Sequence, residues 1–192
     1  DIRSVAHENI YALCDIDDNR LANTLNEDFA ASFREKVKRY RDYREMLDSE
    51  PEIDAVLIST PDHMHAPIAT HAMSLGKHLY VQKPLCHTVA EARYLARQAE
   101  ETDVVTQMGN QGHAEEGARQ INEWVASGAL GNISEIHCWT NRPVWPQGIA
   151  RADSSTPVPG SMDWDLWLGA AAQRAYINRA YHPFNWRGWA DF

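Results

Sequence analysis

Apolar residues along this chain alternate between short continuous runs and longer stretches at helical spacing. The clearest example is residues 53–88. Residues 55–58 are a continuous apolar run, which predicts a strand buried on both faces of a parallel sheet. Thr60-Pro61-Asp62 breaks it, Pro67 suits a first helical turn, and Ile68, Ala72, Met73 and Leu75 recur at roughly helical spacing up to Gly76. Residues 78–81 predict the next strand, closed by Gln82-Lys83-Pro84, since proline cannot continue a central strand. A strand-helix-strand of this length makes a right-handed crossover, so both strands end on one edge of the sheet. That edge carries Thr60, Asp62, His63, His65, Gln82 and Lys83, and open α/β sheets bind ligands there.

The same alternation extends both ways. Residues 9–16 predict a short strand ending at Asp15, and Leu21, Leu25 and Phe29 a helix that Asp17 or Asp18 caps. Residues 36–43 are basic and aromatic; the cations between Arg34 and Arg41 could suggest phosphate binding, but the interleaved acids favour a solvated helix face, and residues 43–48 predict a short helix. A helix over residues 90–101 leads to a strand at 104–108 that ends in Gly109-Asn110-Gln111. Residues 115–127 predict another helix, with Ala118, Ile121 and Val125 inward. The fold class is therefore α/β, a doubly wound parallel sheet. The pattern then changes to a strand at 133–141, a long Pro/Gly/Ser-rich loop, a short helix at 163–168 and an aromatic tail. These suggest a domain over residues 1–130 and the start of an α+β domain with a mixed sheet over 131–192.

The 192 residues carry a formal net charge of −9, which argues against a nucleic-acid surface. No apolar run approaches the roughly 20 residues of a membrane helix. Cys14, Cys86 and Cys138 are scattered, with no CxxC, and read as buried free thiols rather than a disulfide or metal site. Six of the seven tryptophans lie beyond residue 131. They could floor a sugar site or pack a core or interface, packing being the commoner use.

Lys83 is the best candidate for chemistry, because an ammonium at a strand tip can polarise a hydroxyl or carbonyl oxygen. The alternative is an exposed strand-end lysine; Pro84 and the edge shared with Thr60-Pro61 favour function. His63-x-His65 lacks a neighbouring Cys or acidic cluster, so no metal site is assigned. No Gly-x-Ser-x-Gly elbow is present, which disfavours a serine hydrolase. An acid at Asp15 either holds an adenosine ribose or serves the loop, and the residues alone leave both open.

The stretch from Ser59 to His65, followed by Gln82-Lys83-Pro84, resembles the Gfo/Idh/MocA family of oxidoreductases, as do Ala12 to Asp15 and the run from Trp164 through Tyr176 to Phe192. The resemblance implies a Rossmann-like domain followed by a substrate and oligomerisation domain with an open-faced mixed sheet. It also implies hydride transfer to or from a hydroxyl carbon of a sugar or cyclitol. Carried over by residue, Asp15 holds the ribose, Thr60, Pro61, His63 and His65 line the dinucleotide, and Gln82, Lys83 and Pro84 lie near the nicotinamide with Lys83 catalytic. Gln111 sits beside the cofactor, with Trp186 and Arg187 near it. Asp15 points to NAD rather than NADP, because a carboxylate repels a 2′-phosphate.

Three departures qualify this. Gln82 replaces the family's usual Glu, no glycine-rich turn precedes Asp15, and the family's Asp-x-x-x-His pair is absent. These departures suggest a chain cut at both ends, inactive by itself. Further expectations are a homo-oligomer and a cytoplasmic location, with export of the folded holo-protein left open. Two alternatives stand beside the dehydrogenase: an NAD-using glycosidase of net non-redox outcome, and a dinucleotide-binding regulatory protein without chemistry.

Overall fold

The structure is a computed structural model that describes residues 2–142, 145–151 and 154–192. Strand β1 (Ala12–Cys14) pairs in parallel with β2 (Lys38–Tyr40), Leu13 opposite Arg39. A second sheet holds β3 (Ala55–Ile58), β4 (His78–Val81) and β5 (Thr106–Met108) in that order, all parallel. The α/β class with a Rossmann-like parallel sheet is thus observed.

The helices begin where the sequence supplies caps. Asp17 accepts from the Asn19 N–H at the start of α1 (Asp18–Asp28), and α2 (Ala31–Arg34) is a single turn beyond it. Asp42 caps α3 (Tyr43–Ser49) through the Arg44 N–H. After α4 (His65–Ser74), Thr88 and Glu91 form a capping box at α5 (Val89–Thr102). Then come α6 (Glu116–Ala126) and α7 (Trp164–Leu168), the latter capped by Asp163.

Lys38–Tyr40 corrects the expectation of a solvated helix face. Its charges hide a strand because they pair with Glu50, at the end of α3. The Lys38 Nζ lies 2.6 Å from Glu50 Oε2, the Tyr11 hydroxyl donates to the same oxygen at 2.9 Å, and Tyr40 donates to Oε1. The Lys38 ammonium and the Tyr40 hydroxyl hold the Glu50 carboxyl down at about 2.

The central sheet is covered on one face only, which corrects the expectation for residues 55–58. Val56, Ile58, Leu79 and Val81 are buried with Met46, Leu47, Ile68, Ala72, Met73 and Leu95 from α3, α4 and α5. On the other face Leu57 and Tyr80 are 36% and 39% exposed. No residue of α6 is buried, so its inward face is not seen, and residues 133–141 carry no strand.

A second, aromatic cluster gathers Met162, Trp164, Trp167, Leu168, Tyr176, Tyr181, Trp186 and Phe192. The Trp164 and Trp167 rings stack at 4.7 Å, and the Trp164 indole N–H donates to Arg174 O. Packing thus accounts for Trp164, Trp167 and Trp186, whereas Trp139 is exposed. The three thiols are free, but Cys14 and Cys86 are only half-buried and Cys138, in a segment that no described element covers, is exposed, which corrects the expectation that they are buried.

Candidate functional site

Parallel pairing brings the ends of β3, β4 and β5 to one edge. Backbone bonds hold the tips together: Gln82 N–H donates to Ile58 O at 2.9 Å, and Gly109 N–H donates to Val81 O at 2.7 Å. A Cβ on Gly109 would stand 2.9 Å from the Tyr80 ring, so glycine lets the β5 tip close against β4.

Side chains add cross-ties. His65 is fully buried at the start of α4, with Nε2 2.8 Å from Thr60 O and Nδ1 2.6 Å from Pro84 O. Both partners are acceptors, so filling both contacts takes two ring N–H groups. The ring therefore bridges the Thr60-Pro61 turn and the Lys83-Pro84 corner rather than offering itself to a ligand. Gln82, nine-tenths buried, accepts at Oε1 from the Gln111 side chain at 2.9 Å and from the Lys83 N–H at 3.3 Å. Thr60, His65, Gln82, Lys83, Pro84 and Gln111 thus form one connected set. Lys83 is exposed and forms no ion pair among the described residues.

Positive charge gathers at this edge. Burial raises the Asp62 carboxyl, and His65, Arg187, Lys83 and His87 pull it back. Arg187 lies 4.1 Å from the ring centroids of both Phe184 and Trp186, and burial lowers its guanidinium. Trp186 is buried beneath it, so of that expected pair the arginine faces outward.

Two expected residues sit elsewhere. His63 is 3% exposed, its Nε2 3.1 Å from Trp167 O and its ring 5.1 Å from that of Phe192. Burial pushes the imidazole down to about 4, and Nδ1 has no partner. His63 therefore joins the aromatic cluster. Asp15 ends β1 in the other sheet, where its Oδ1 accepts from the Asp17 N–H at 2.9 Å and burial raises its carboxyl. It makes no direct contact with the Lys83 set, and Pro61 is half-buried at the turn. The link between the two sheets' tips is the segment around α7. There Asp163 N–H donates to Ile16 O, Asp18 N–H donates to Ser161 O, and Met64 Sδ accepts from the Ala170 N–H at 3.4 Å. Sequence reasoning missed this link, which no local pattern signals.

Two concavities lie elsewhere, beside α1. One of about 430 Å³ is polar, lined by Asp17, Asn19, Arg20, Glu27 and His182 among others; neither it nor its neighbour includes Lys83. The strand tips make an open edge, where convergent chemistry is stronger evidence than cavity size. No group of three His, Cys, Asp or Glu among the described residues is placed to hold a metal. Among the described residues no helix is long and apolar enough to cross a membrane.

Parallel strands ending together in donors and cations define a nucleotide-binding type of α/β fold. The family model described as the oxidoreductase family with an NAD-binding Rossmann fold (Gfo/Idh/MocA) matches residues 2–110, and the chain belongs to this family. It is 30% identical over 92 residues to a levoglucosan dehydrogenase of Pseudarthrobacter phenanthrenivorans, covering 48% of this chain and 23% of that protein. It is 48% identical over 60 residues to a glycosyl hydrolase family 109 protein of a Shewanella species, covering 31% of this chain and 13% of that one. Among solved structures, the myo-inositol 2-dehydrogenase of Lactobacillus plantarum superposes with a TM-score of 0.57 at 26% identity, over 68% of this chain and 39% of that one. The matched part of the chain thus spans well under half the length of these relatives.

NAD is the cofactor of this fold family. The residues present fit it in part. Unpaired cations and amide donors stand at the β3–β4–β5 tips, and the Asp15 Oδ2, with no partner among the described residues, is free to accept from a ribose hydroxyl.

Proposed function

We propose that the protein is an NAD-dependent oxidoreductase acting at a hydroxyl carbon of a sugar or cyclitol. The observation that carries this is the connected set at the strand tips, which leaves Lys83 as an exposed ammonium without a carboxylate partner among the described residues. NAD, when bound, supplies the hydride acceptor. Lys83 donates a hydrogen bond to the reacting oxygen and stabilises the charge that develops there. His65 fixes the Lys83-Pro84 corner against the Thr60 turn, and Arg187 supplies positive charge that suits a pyrophosphate. Asp15 accepts from the adenosine ribose, and its charge disfavours the 2′-phosphate of NADP. Relatives named as inositol dehydrogenases and a levoglucosan dehydrogenase support a polyhydroxylated ring as substrate. A homo-oligomer, with residues beyond 131 contributing to substrate binding and assembly, belongs to the same proposal.

The test uses the full product of the gene, a panel of sugars and inositols, and NADH absorbance. Lys83→Met is expected to lower kcat by about 10²-fold or more while the Kd for NADH moves less than about threefold. Undiminished turnover would refute the role. The higher local identity to a family 109 glycosyl hydrolase favours one second reading, a glycosidase that oxidises, eliminates and re-reduces. Aglycone release from chromogenic glycosides without net NADH change would select it.

A further inference from the structure

One side chain at this edge has its polarity set by its neighbours. A backbone N–H can only donate, so the Lys83 N–H at 3.3 Å requires the Gln82 atom facing it to be the carbonyl oxygen. With that oxygen fixed, Gln111 must turn its own nitrogen toward it, at 2.9 Å. Gln82 Nε2 is left with no partner among the described residues. It is not sealed in, since the buried polar atoms lacking a partner are Arg34 Nε, His63 Nδ1 and Gln98 Oε1. Although Gln82 is nine-tenths buried, its NH₂ group reaches open space at the strand tips, in the residue just before Lys83.

We propose that Gln82 is a specificity-determining residue that presents its amide N–H as a donor to an acceptor oxygen of the bound ligand, and that Gln111 is the positioning residue that fixes this orientation. The inference rests on the oxidoreductase site proposed above and adds the polarity of one contact. A carboxylate at position 82 could keep both incoming hydrogen bonds, but it would face the ligand as an acceptor. The site therefore offers two donors side by side, the Gln82 amide and the Lys83 ammonium. They match either the carboxamide oxygen of a nicotinamide or the reacting oxygen of a ketose or keto-cyclitol.

The experiment uses the full gene product and compares Gln82→Glu, Gln82→Leu and Gln111→Leu. Gln111 is exposed, so its variant leaves the core intact, and thermal melts confirm folding of all three. Kd values are read by titration with NADH and with its thionicotinamide analogue, whose sulfur is a poor acceptor. Inhibition constants are read for a pentahydroxycyclohexanone in the presence of NAD. If the cofactor supplies the oxygen, Gln82→Glu weakens NADH binding at least tenfold, the thio analogue moves less than threefold, and Gln111→Leu gives an intermediate loss. If the substrate supplies it, NADH binding stays within twofold while the ketone constant rises at least tenfold. If neither constant moves in Gln82→Glu, or if Gln82→Glu binds either ligand more tightly, the proposal is overturned. Absence of turnover on every sugar, with the NADH shift intact, would instead count against the substrate class.

Discussion

His63 makes stability fall in mild acid, by an amount that follows from its surroundings. The ring is 3% exposed among Trp167 and Phe192, and burial holds the imidazole down to about 4, with His87 and His65 adding in the same direction. The unfolded chain takes up this proton near pH 6.5. The folded value is depressed, so the stability is present above about pH 6.5 and is lost as pH falls toward 4. Linkage puts the loss at about 2 kcal/mol at pH 5 and about 3 kcal/mol once both states are protonated. His63→Phe keeps a ring in the cluster and removes the titration. It gives up the hydrogen bond to Trp167 O, worth about 1 kcal/mol, and also removes the orphaned Nδ1, so at pH 8 the two proteins should melt within a few degrees of each other. At pH 5 the wild type should lose about 4–8 °C more than the variant. His182, half-buried near Asp17 and also lowered by burial, titrates in both proteins and cancels in the difference. Melts at pH 8, 7, 6 and 5 supply the comparison. Parallel curves for the two proteins would show that His63 is solvated, contrary to its placement.

Three further outcomes are expected. Leu168→Ala empties a fully buried position in the aromatic cluster and should cost about 2–5 kcal/mol, read by urea denaturation; a loss under about 1 kcal/mol would mean the cluster is loose. Thr88→Ala removes the capping box of α5 and should cost about 1 kcal/mol, whereas Ser74→Ala, with its exposed bond to His71 O, should change the melt little. Asp15→Ser removes the carboxylate at the ribose position and should raise the preference for NADP over NAD about 10- to 100-fold, measured as the ratio of Kd values; an unchanged ratio would remove Asp15 from the ribose site.

The central βαβ unit was legible because each of its elements is marked locally. Residues 55–58 and 79–81 are apolar runs, Pro67 suits a first helical turn, and Gly76 follows the helix with positive φ. The capping acids Asp17 and Asp42 and the box at Thr88 and Glu91 mark the helix starts in the same local way. β2 was illegible because Lys38 and Arg39 look solvated until Glu50, 12 residues from Lys38, is brought beside the first of them. His63 and His65 are two residues apart and look equivalent in the sequence. One is turned into the aromatic cluster and the other across two strand tips, a difference set by partners at Trp167 and Pro84. The inward face expected for α6 follows its periodicity, yet Ile121, Trp124 and Val125 remain about half exposed because no described element packs on them. Spacing identifies a face but not what covers it.

The aromatic cluster reconciles the two uses considered for the tryptophans. β1 and β3 share no hydrogen bonds among the described residues, and Ala12, Cys14 and Tyr40 reach the central sheet only through its core. Beyond that packing, one short segment bonds Ile16 and Asp18 at one tip and contacts His63 and Met64 at the other. Gly169, at φ 47°, follows α7 in a backbone conformation that favours glycine, and a Cβ there would push the Met64 thioether aside. Stacked indoles at Trp164 and Trp167 anchor that segment in the aromatic cluster, and buried Trp186 carries the Arg187 guanidinium on its face, within the electrostatic reach of Asp62. The indoles that packing claims need not touch a ligand to serve the site: their burial holds two strand tips in register and keeps a cation beside them.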